Sequence, residues 1–370
     1  MIQAPPHIQA TTIDLDLSDT HLSAARSLLA VSDTHITIDI TQPGKQHGHL
    51  VMSLPGSGSA PAQLRIPVCC IRGPESGPTV TMIGGIHGDE YEGPLVLNRM
   101  ARGLETESVY GCLILVPCLN VSGLKAGQRC LGLAEEDLDS CFPGKAEGSP
   151  GERLAHDIFE RLIRPADLVL DLRSGGSSLD FEPSAAVRFM GVSNQQASNT
   201  REQELVEASE AAMIAFGAPN SVRFPPSGPG SCLQAAVHSA GKPYVQSEIG
   251  GGAGCNVETL SIATTGCHNV LRQVGVLKDD MQLRASRMLE VRDDSFYVYA
   301  AVGGLLEPQA RLGNEVWHGD SLACIVDPDN TGSEPHTVPV PRNGVLLAMR
   351  HGGMVQAGDL LAILADEVQR

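Results

Sequence analysis

The stretch from Val80 to Pro94, Val-Thr-Met-Ile-Gly-Gly-Ile-His-Gly-Asp-Glu-Tyr-Glu-Gly-Pro, leaves the chain few ways to fold. An unbroken apolar run ending in paired glycines reads as a buried strand that stops at a tight turn. Gly-Pro followed by helical apolar spacing reads as the start of a helix. Strand, loop and helix in that order form the unit of an α/β sheet, whose ligands lie beyond the carboxyl ends of the strands. His87 and Glu90 stand three residues apart in that loop, so an imidazole and a carboxylate can point at one metal ion. Zinc accepts this nitrogen/oxygen pair. A bare His-x-x-Glu also suits a polar turn capping a helix, and the strand and glycines before it favour the site.

The rest of the chain repeats the alternation. Short strands are expected at His35–Ile40, His49–Leu54 and Gln63–Val68, then at Thr79–Ile83, with a helix over Pro94–Leu104. Gly111–Pro117 is apolar throughout, as in a strand covered on both faces. Leu154, Ile158 and Leu162 fall at helical spacing between Glu152 and Ile163, before Pro165. Asp167–Leu172 is a further buried strand. Thr200 and Gln203 suggest a capping box for a helix ending near Gly217. A strand at Pro243–Glu248 and a helix at Thr259–Val274 complete the set. Residues 1 to about 25 are polar and expected to be loosely held.

Beyond Lys278 the pattern changes. Val316–Asp327 matches Val355–Asp366 at six of twelve positions, and each copy follows an apolar segment opened by Gly304 or Gly344. A duplicated strand–turn–strand unit suggests a small β-sandwich resembling the biotinyl/lipoyl carrier fold. A carrier needs a lysine at its hairpin tip. The corresponding tract is Leu347-Ala-Met-Arg350-His351, and no lysine follows Lys278, so neither biotin nor lipoate is expected. Three regions result: a strand-rich segment 1–64, a catalytic α/β domain 65–285 and a C-terminal β-module 290–370.

With 43 acidic and 26 basic residues the net charge is −17, which would repel nucleic acid and anionic membranes as partners. No run approaches ~20 apolar residues, so no membrane span is expected. The first residues lack the basic and apolar regions of a signal peptide. Ten cysteines without a Cys-x-x-Cys, several inside apolar runs, read as buried thiols in a reducing cytoplasm.

Three further polar features follow buried strands: Arg129 beyond Cys112–Pro117, Asp171-Leu-Arg173-Ser-Gly-Gly, and Ser247-Glu248-Ile-Gly-Gly-Gly. Each alone has a structural explanation, as a loop cap, an ion pair or a solvated cation. Placed at the ends of successive parallel strands they would converge. His156 and His238 are also candidate ligands, although His156 lies in an amphipathic helix and reads as structural.

Together with Phe142-Pro-Gly144, these motifs resemble the succinylglutamate desuccinylase/aspartoacylase family of carboxypeptidase-like zinc hydrolases, in particular its N-acetyl-diaminobutyrate deacetylase-type branch. The resemblance runs from about residue 65 to the C-terminus. It implies an α/β, carboxypeptidase-like mixed sheet flanked by helices, with the β-module attached. It further implies that His87 and Glu90 hold zinc with a later histidine of an Asp-x-His motif. Glu248 would be the general base and Arg129 the oxyanion arginine. Zinc lowers the pKa of bound water toward ~7, within reach of a carboxylate base.

Two departures stand at functional positions. Asp171-Leu-Arg173 replaces Asp-x-His, and a guanidinium cannot ligate a cation. Asp137-Leu-Asp139-Ser140 replaces Asp-x-Asn-Arg, whose last two residues grip the substrate carboxylate in the family. Three readings follow. Asp171, two residues back on the same strand face, is a substitute third ligand, with Asp139 or Cys141 behind it. Alternatively the protein is a zinc-deficient binding or assembly protein in which Arg173 holds an anion. Or Arg173 binds a substrate carboxylate in altered chemistry. The leading expectation is a zinc-dependent amidohydrolase of a small N-acyl amino acid, with Arg173, Asp139 and Ser140 around the substrate. Asp139 and the acidity suit a substrate bearing an amine. A homo-oligomer is expected.

Overall fold

The computed structural model describes residues 34–54, 62–132, 135–188, 200–225 and 232–369. The amino-terminal stretch expected to be loosely held lies outside them. The short strand β1 (Thr34–Ile36) leads to two long antiparallel strands, β2 (Gly44–Leu54) and β3 (Ala62–Arg72), paired from Gly44↔Arg72 to Leu54↔Ala62. β1 stops four residues earlier than the expected Ile40. The Asp39 carboxylate accepts hydrogen bonds from Thr41 N–H (2.9 Å) and the Thr41 hydroxyl (2.6 Å), an Asx-type turn that ends the strand.

The alternating region follows: β4 (Glu75–Gly84), α1 (Glu92–Gly103), β5 (Tyr110–Val116), the short α2 (Val121–Ala126) and α3 (Pro150–Ile158). Ser149 and Glu152 form the capping box of α3, which continues through a single π turn over Phe159–Ile163 before Pro165. Then come β6 (Leu168–Arg173), β7 (Leu179–Arg188), α4 (Thr200–Phe216), β8 (Asn220–Phe224), α5 (Leu233–Ser239), β9 (Tyr244–Gly251) and α6 (Val257–Gln273). Strands β5, β4, β6 and β9 lie side by side and parallel. Their side chains sort by parity. Leu113 and Leu115 join Val80, Met82, Val96 and Phe216 in one core, whereas Cys112, Ile114 and Val116 join Leu154, Ile158 and Val237 in the other. That two-sided burial is why β5 shows no polar alternation.

The duplicated region supplies β10 (Arg287–Glu290), β11 (Tyr297–Tyr299), β12 (Gly304–Pro308), β13 (Glu315–Val316), β14 (Ser321–Val326), β15 (His336–Pro339), β16 (Gly344–Arg350), β17 (Met354–Val355) and β18 (Leu360–Glu367). The two copies exchange strands: β13 of the first pairs with β16, and β17 of the second pairs with β12. The first copy lies in a four-stranded sheet, β15-β14-β12-β17, while β16 and β18 belong to the large sheet. β7 pairs with β8 through its second half and with β16 through its first, so β7-β8-β10-β18-β16 closes on itself. Phe181, Ala186, Val222 and Phe224 accordingly share one core with Leu306, Ile325, Leu346 and Leu361. Among the described residues no helix is long and apolar enough to cross a membrane. Five of the ten cysteines, Cys69, Cys70, Cys112, Cys118 and Cys267, are buried.

Candidate active site

The carboxyl ends of β4, β5, β6 and β9 meet at one edge of the sheet. Arg173 and Glu248 are register partners on the parallel pair β6–β9, so their side chains emerge next to each other. The loop after β4 brings His87 and Glu90 to the same place, both almost fully buried. His87 Nδ1 lies 2.6 Å from Glu90 Oε1. Its Nε2, on the opposite edge of the ring, lies 3.3 Å from Asp137 Oδ1, an ion-pair approach without hydrogen-bond alignment. Burial works against a charged ring, but the Glu90 and Asp137 carboxylates outweigh it and hold the His87 pKa up at about 9.

That loop rests on backbone. Gly88 N–H donates to the Arg129 carbonyl at 3.3 Å, and Asn120 Nδ2 donates to the same oxygen at 3.0 Å. A Cβ on Gly88 would lie 2.1 Å from the Gly123 carbonyl carbon and 2.4 Å from the Gln128 carbonyl oxygen, where nothing can rotate aside. Gly88→Ala is therefore expected to destabilise the fold by about 1–3 kcal/mol. Urea denaturation measures this, and an unchanged midpoint would show that the loop has slack.

Arg129 itself is about half exposed and paired with Asp137 through Nε and Nη2, both at 3.1 Å. Burial would raise the Asp137 carboxyl, yet its contact with His87 and the charge of Arg129 hold it well below the usual range. Arg173 is bound from two sides. Nη1 and Nη2 reach the two oxygens of Asp139 at 3.0 Å each, and Nε donates to Asp171 Oδ2 at 2.6 Å. The Tyr244 hydroxyl donates to the same Asp171 oxygen at 2.6 Å, and Leu233 N–H donates to Asp139 Oδ1 at 3.0 Å. Burial opposes the charge of Arg173, but the two carboxylates keep its pKa above the ordinary arginine value.

Glu248 is 8% exposed and accepts one hydrogen bond, from Gln246 Nε2 at 2.8 Å. Burial, with the charge of Glu90 added, pushes its carboxyl up to about 8. Such a carboxyl exchanges protons near neutrality, as a general acid–base must. These groups line a cavity of about 420 Å³ that also receives Arg188 and Gln234.

The cavity thus gathers His87, Glu90, Arg129, Asp139, Arg173 and Glu248. Two expected residues fall elsewhere. Ser140 sits exposed on the 3₁₀ turn Asp139–Cys141 and does not line the cavity, because that turn points Asp139 inward. Asp171 shares the strand face of Arg173, but is fully buried behind it and engaged by Tyr244. His156 lines a separate cavity beside Phe142 and Cys232, and His238 packs edge-on against the Tyr244 ring. Sequence reasoning missed Asp137, Arg188, Gln246 and Tyr244. The polar positions 244, 246 and 248 share one parity on a strand whose other positions are small or apolar, which was a readable signal. Nothing local marks Arg188.

Zinc finds two donors here and lacks a third. Among the described residues no three His, Cys, Asp or Glu side chains lie close enough to hold one metal ion. Glu90 and Asp137 approach opposite edges of His87, and Asp171 is spent on Arg173 and Tyr244. The residue in the expected third position is a guanidinium. The donor set does not fit a three-ligand zinc site.

The family model for the succinylglutamate desuccinylase/aspartoacylase catalytic domain matches residues 76–274. The N-alpha-acetyl-L-2,4-diaminobutyric acid deacetylase of Halomonas elongata is 35% identical over 336 residues, 90% of this chain and 95% of that one. The product-bound structure of the ectoine utilization protein EutE (DoeB) from Ruegeria pomeroyi superposes with a TM-score of 0.84 at 34% identity, covering 90% of this chain and 98% of that one. A succinylglutamate desuccinylase from Silicibacter sp. TM1040 superposes with a TM-score of 0.85 at 33% identity, covering 91% and 99%.

Proposed function

The chain belongs to the succinylglutamate desuccinylase/aspartoacylase family and is with it a hydrolase of amide bonds, and from that premise we propose that it deacylates a small N-acylated amino acid bearing a second amine. One observation carries the reading. Glu248, with a carboxyl poised near neutrality, shares a cavity of about 420 Å³ with three guanidinium groups and with the carboxylates of Glu90 and Asp139. That volume suits a compact acyl amino acid. The mixture of charges suits a carboxylate at one end and an ammonium at the other. The relative from Halomonas elongata, named for N-alpha-acetyl-L-2,4-diaminobutyric acid, supports the same class.

In this reading Glu248 takes a proton from the attacking water and returns it to the leaving nitrogen. The hydrogen bond from Gln246 fixes one carboxyl oxygen and leaves the other for the water. Arg129, the more exposed partner of its ion pair with Asp137, faces the acyl group. Arg188 lies over the Phe224 ring, 4.5 Å from its centroid, and offers a cation for the substrate carboxylate from the far wall. Assay of N-acetyl-2,4-diaminobutyrate against N-acetylaspartate tests the substrate class by release of the free amine. Preference for N-acetylaspartate would overturn it. Arg188→Ala is expected to raise KM about 10- to 100-fold with a smaller change in kcat, the signature of a lost charge-assisted hydrogen bond to the bound substrate. Steady-state kinetics decides, and an unchanged KM removes Arg188 from the binding site.

A further inference from the structure

The two departures from the family pattern, Arg173 and Asp139, are bonded to each other. A metal site that had simply lost a ligand would leave the incoming charge to be accommodated as it fell. Here the arginine meets a new carboxylate end to end, through Nη1 and Nη2 at 3.0 Å each, while Asp171 holds Nε from behind. The two carboxylates are themselves fixed, Asp171 by Tyr244 and Asp139 by the Leu233 N–H. The result is a positive charge held in one orientation at the cavity wall.

We propose that this centre works without a divalent metal, and that Arg173 is the built-in cation that holds an anionic acyl oxygen. A guanidinium carries five N–H donors. The ion pairs with Asp171 and Asp139 use one on Nε and one on each Nη, which leaves two for a ligand in the cavity that Arg173 lines. A divalent ion entering beside His87 and Glu90 would gain only those two donors, with a guanidinium in place of a third ligand. An anionic oxygen meets the opposite situation: donors already oriented, so that no reorganisation is needed as charge develops.

The catalytic part of this inference rests on the amide-hydrolysis reading. Water oxygen bonds to the acyl carbon, the carbonyl π pair moves onto the oxygen facing Arg173, and Glu248 takes the water proton. On collapse the pair on that oxygen re-forms the carbonyl bond, the C–N bond breaks, its electron pair stays on nitrogen, and nitrogen receives the proton from Glu248. Water is the only co-reactant, and the products are a carboxylic acid and an amine, which at neutral pH pass one proton between them to become a carboxylate and an ammonium.

The test uses the full chain purified without added metal and dialysed against chelator, with zinc chloride and sodium acetate as probes. Calorimetric titration with zinc is expected to show no stoichiometric binding to the wild type and one bound ion in Arg173→His. A full equivalent of zinc in the wild type, lost in His87→Ala, overturns the proposal. Acetate is expected to raise the thermal midpoint of the wild type, with affinity at least about tenfold weaker in Arg173→Gln/Asp139→Asn, where neutral amides replace the pair. Acetate binding that is absent, or equal in the two proteins, removes the anion role of Arg173. Deacylation by the chelated wild type supports the whole scheme, whereas activity that appears only with zinc overturns it. If no acyl amino acid is turned over while zinc fails to bind and acetate binding still depends on Arg173, the hydrolase reading fails and the metal-free anion site stands.

Discussion

Glu248→Gln is expected to lower kcat/KM on an N-acyl amino acid by about 10³-fold, the range of general acid–base catalysis. The substitution is nearly isosteric, and the new amide oxygen can still accept from Gln246, so the pocket keeps its shape. What it loses is the proton carrier. The wild-type carboxyl is pushed up to about 8 by burial and by Glu90, and the base form predominates only above that value. The rate should therefore climb with pH toward about 8 and level off beyond, and the variant should lose this limb. The stability consequence has the opposite sense. Between the ordinary glutamate range and about 8 the folded protein keeps a proton that the unfolded chain has released, so Glu248 costs stability as pH rises through that window. Glu248→Gln should consequently unfold at higher urea than the wild type at pH values above about 8. A variant with wild-type turnover, or a pH profile flat across this range, would reject Glu248 as the acid–base group.

Asp171→Ala carries the largest expected stability effect. Asp171 is fully buried, and one of its oxygens takes two hydrogen bonds of 2.6 Å, from Arg173 and from Tyr244. Removing the carboxylate takes the acceptor from the Nε–H of a guanidinium that is itself only 11% exposed, and from a buried phenol. Breaking one partner of a buried pair costs about 3–5 kcal/mol, and the two contacts that Asp139 keeps on Arg173 place the loss toward the lower end. Tyr244→Phe, which removes one donor and leaves the ion pair, should cost nearer 1 kcal/mol. Asp139→Ala should fall between them, since Asp139 is 17% exposed and water can replace part of its contact with Arg173. Urea unfolding ranks the three. A loss under 1 kcal/mol for Asp171→Ala would mean that Asp139 alone suffices to compensate Arg173. A functional effect should accompany this loss, because without Asp171 the guanidinium loses the anchor on Nε and is oriented by Asp139 alone.

These outcomes bear on how far the residues could be read without the fold. The strand before His87, the helix after Pro94 and the two-sided burial of β5 follow from runs and spacing that are visible locally. So does the placement of His87, Arg173 and Glu248 at strand ends. The early stop of β1 was missed because Asp39 competes with the ladder through its own side chain. The duplicated C-terminal segments were legible as copies, but not their exchange of β13 and β17, since strand pairing is a contact between segments remote in sequence. Asp171 was a reasonable metal candidate by parity. Its partner in β9 lies 73 residues further on.

The amino-acid sequence alone determined that β4 ends in a histidine and a glutamate able to share a ligand, and that the third position is held by a group that cannot ligate a metal. It also determined that an aspartate replaces the expected asparagine at 139. Only the tertiary structure decided that these two changes are one feature. Asp139 rides on a 3₁₀ turn and Arg173 on the end of β6, 34 residues apart, and they meet because separate loops converge beyond the strand ends. Local sequence sets backbone conformation and side-chain parity. Which buried charges neutralise each other depends on distances that exist only once the sheet has formed.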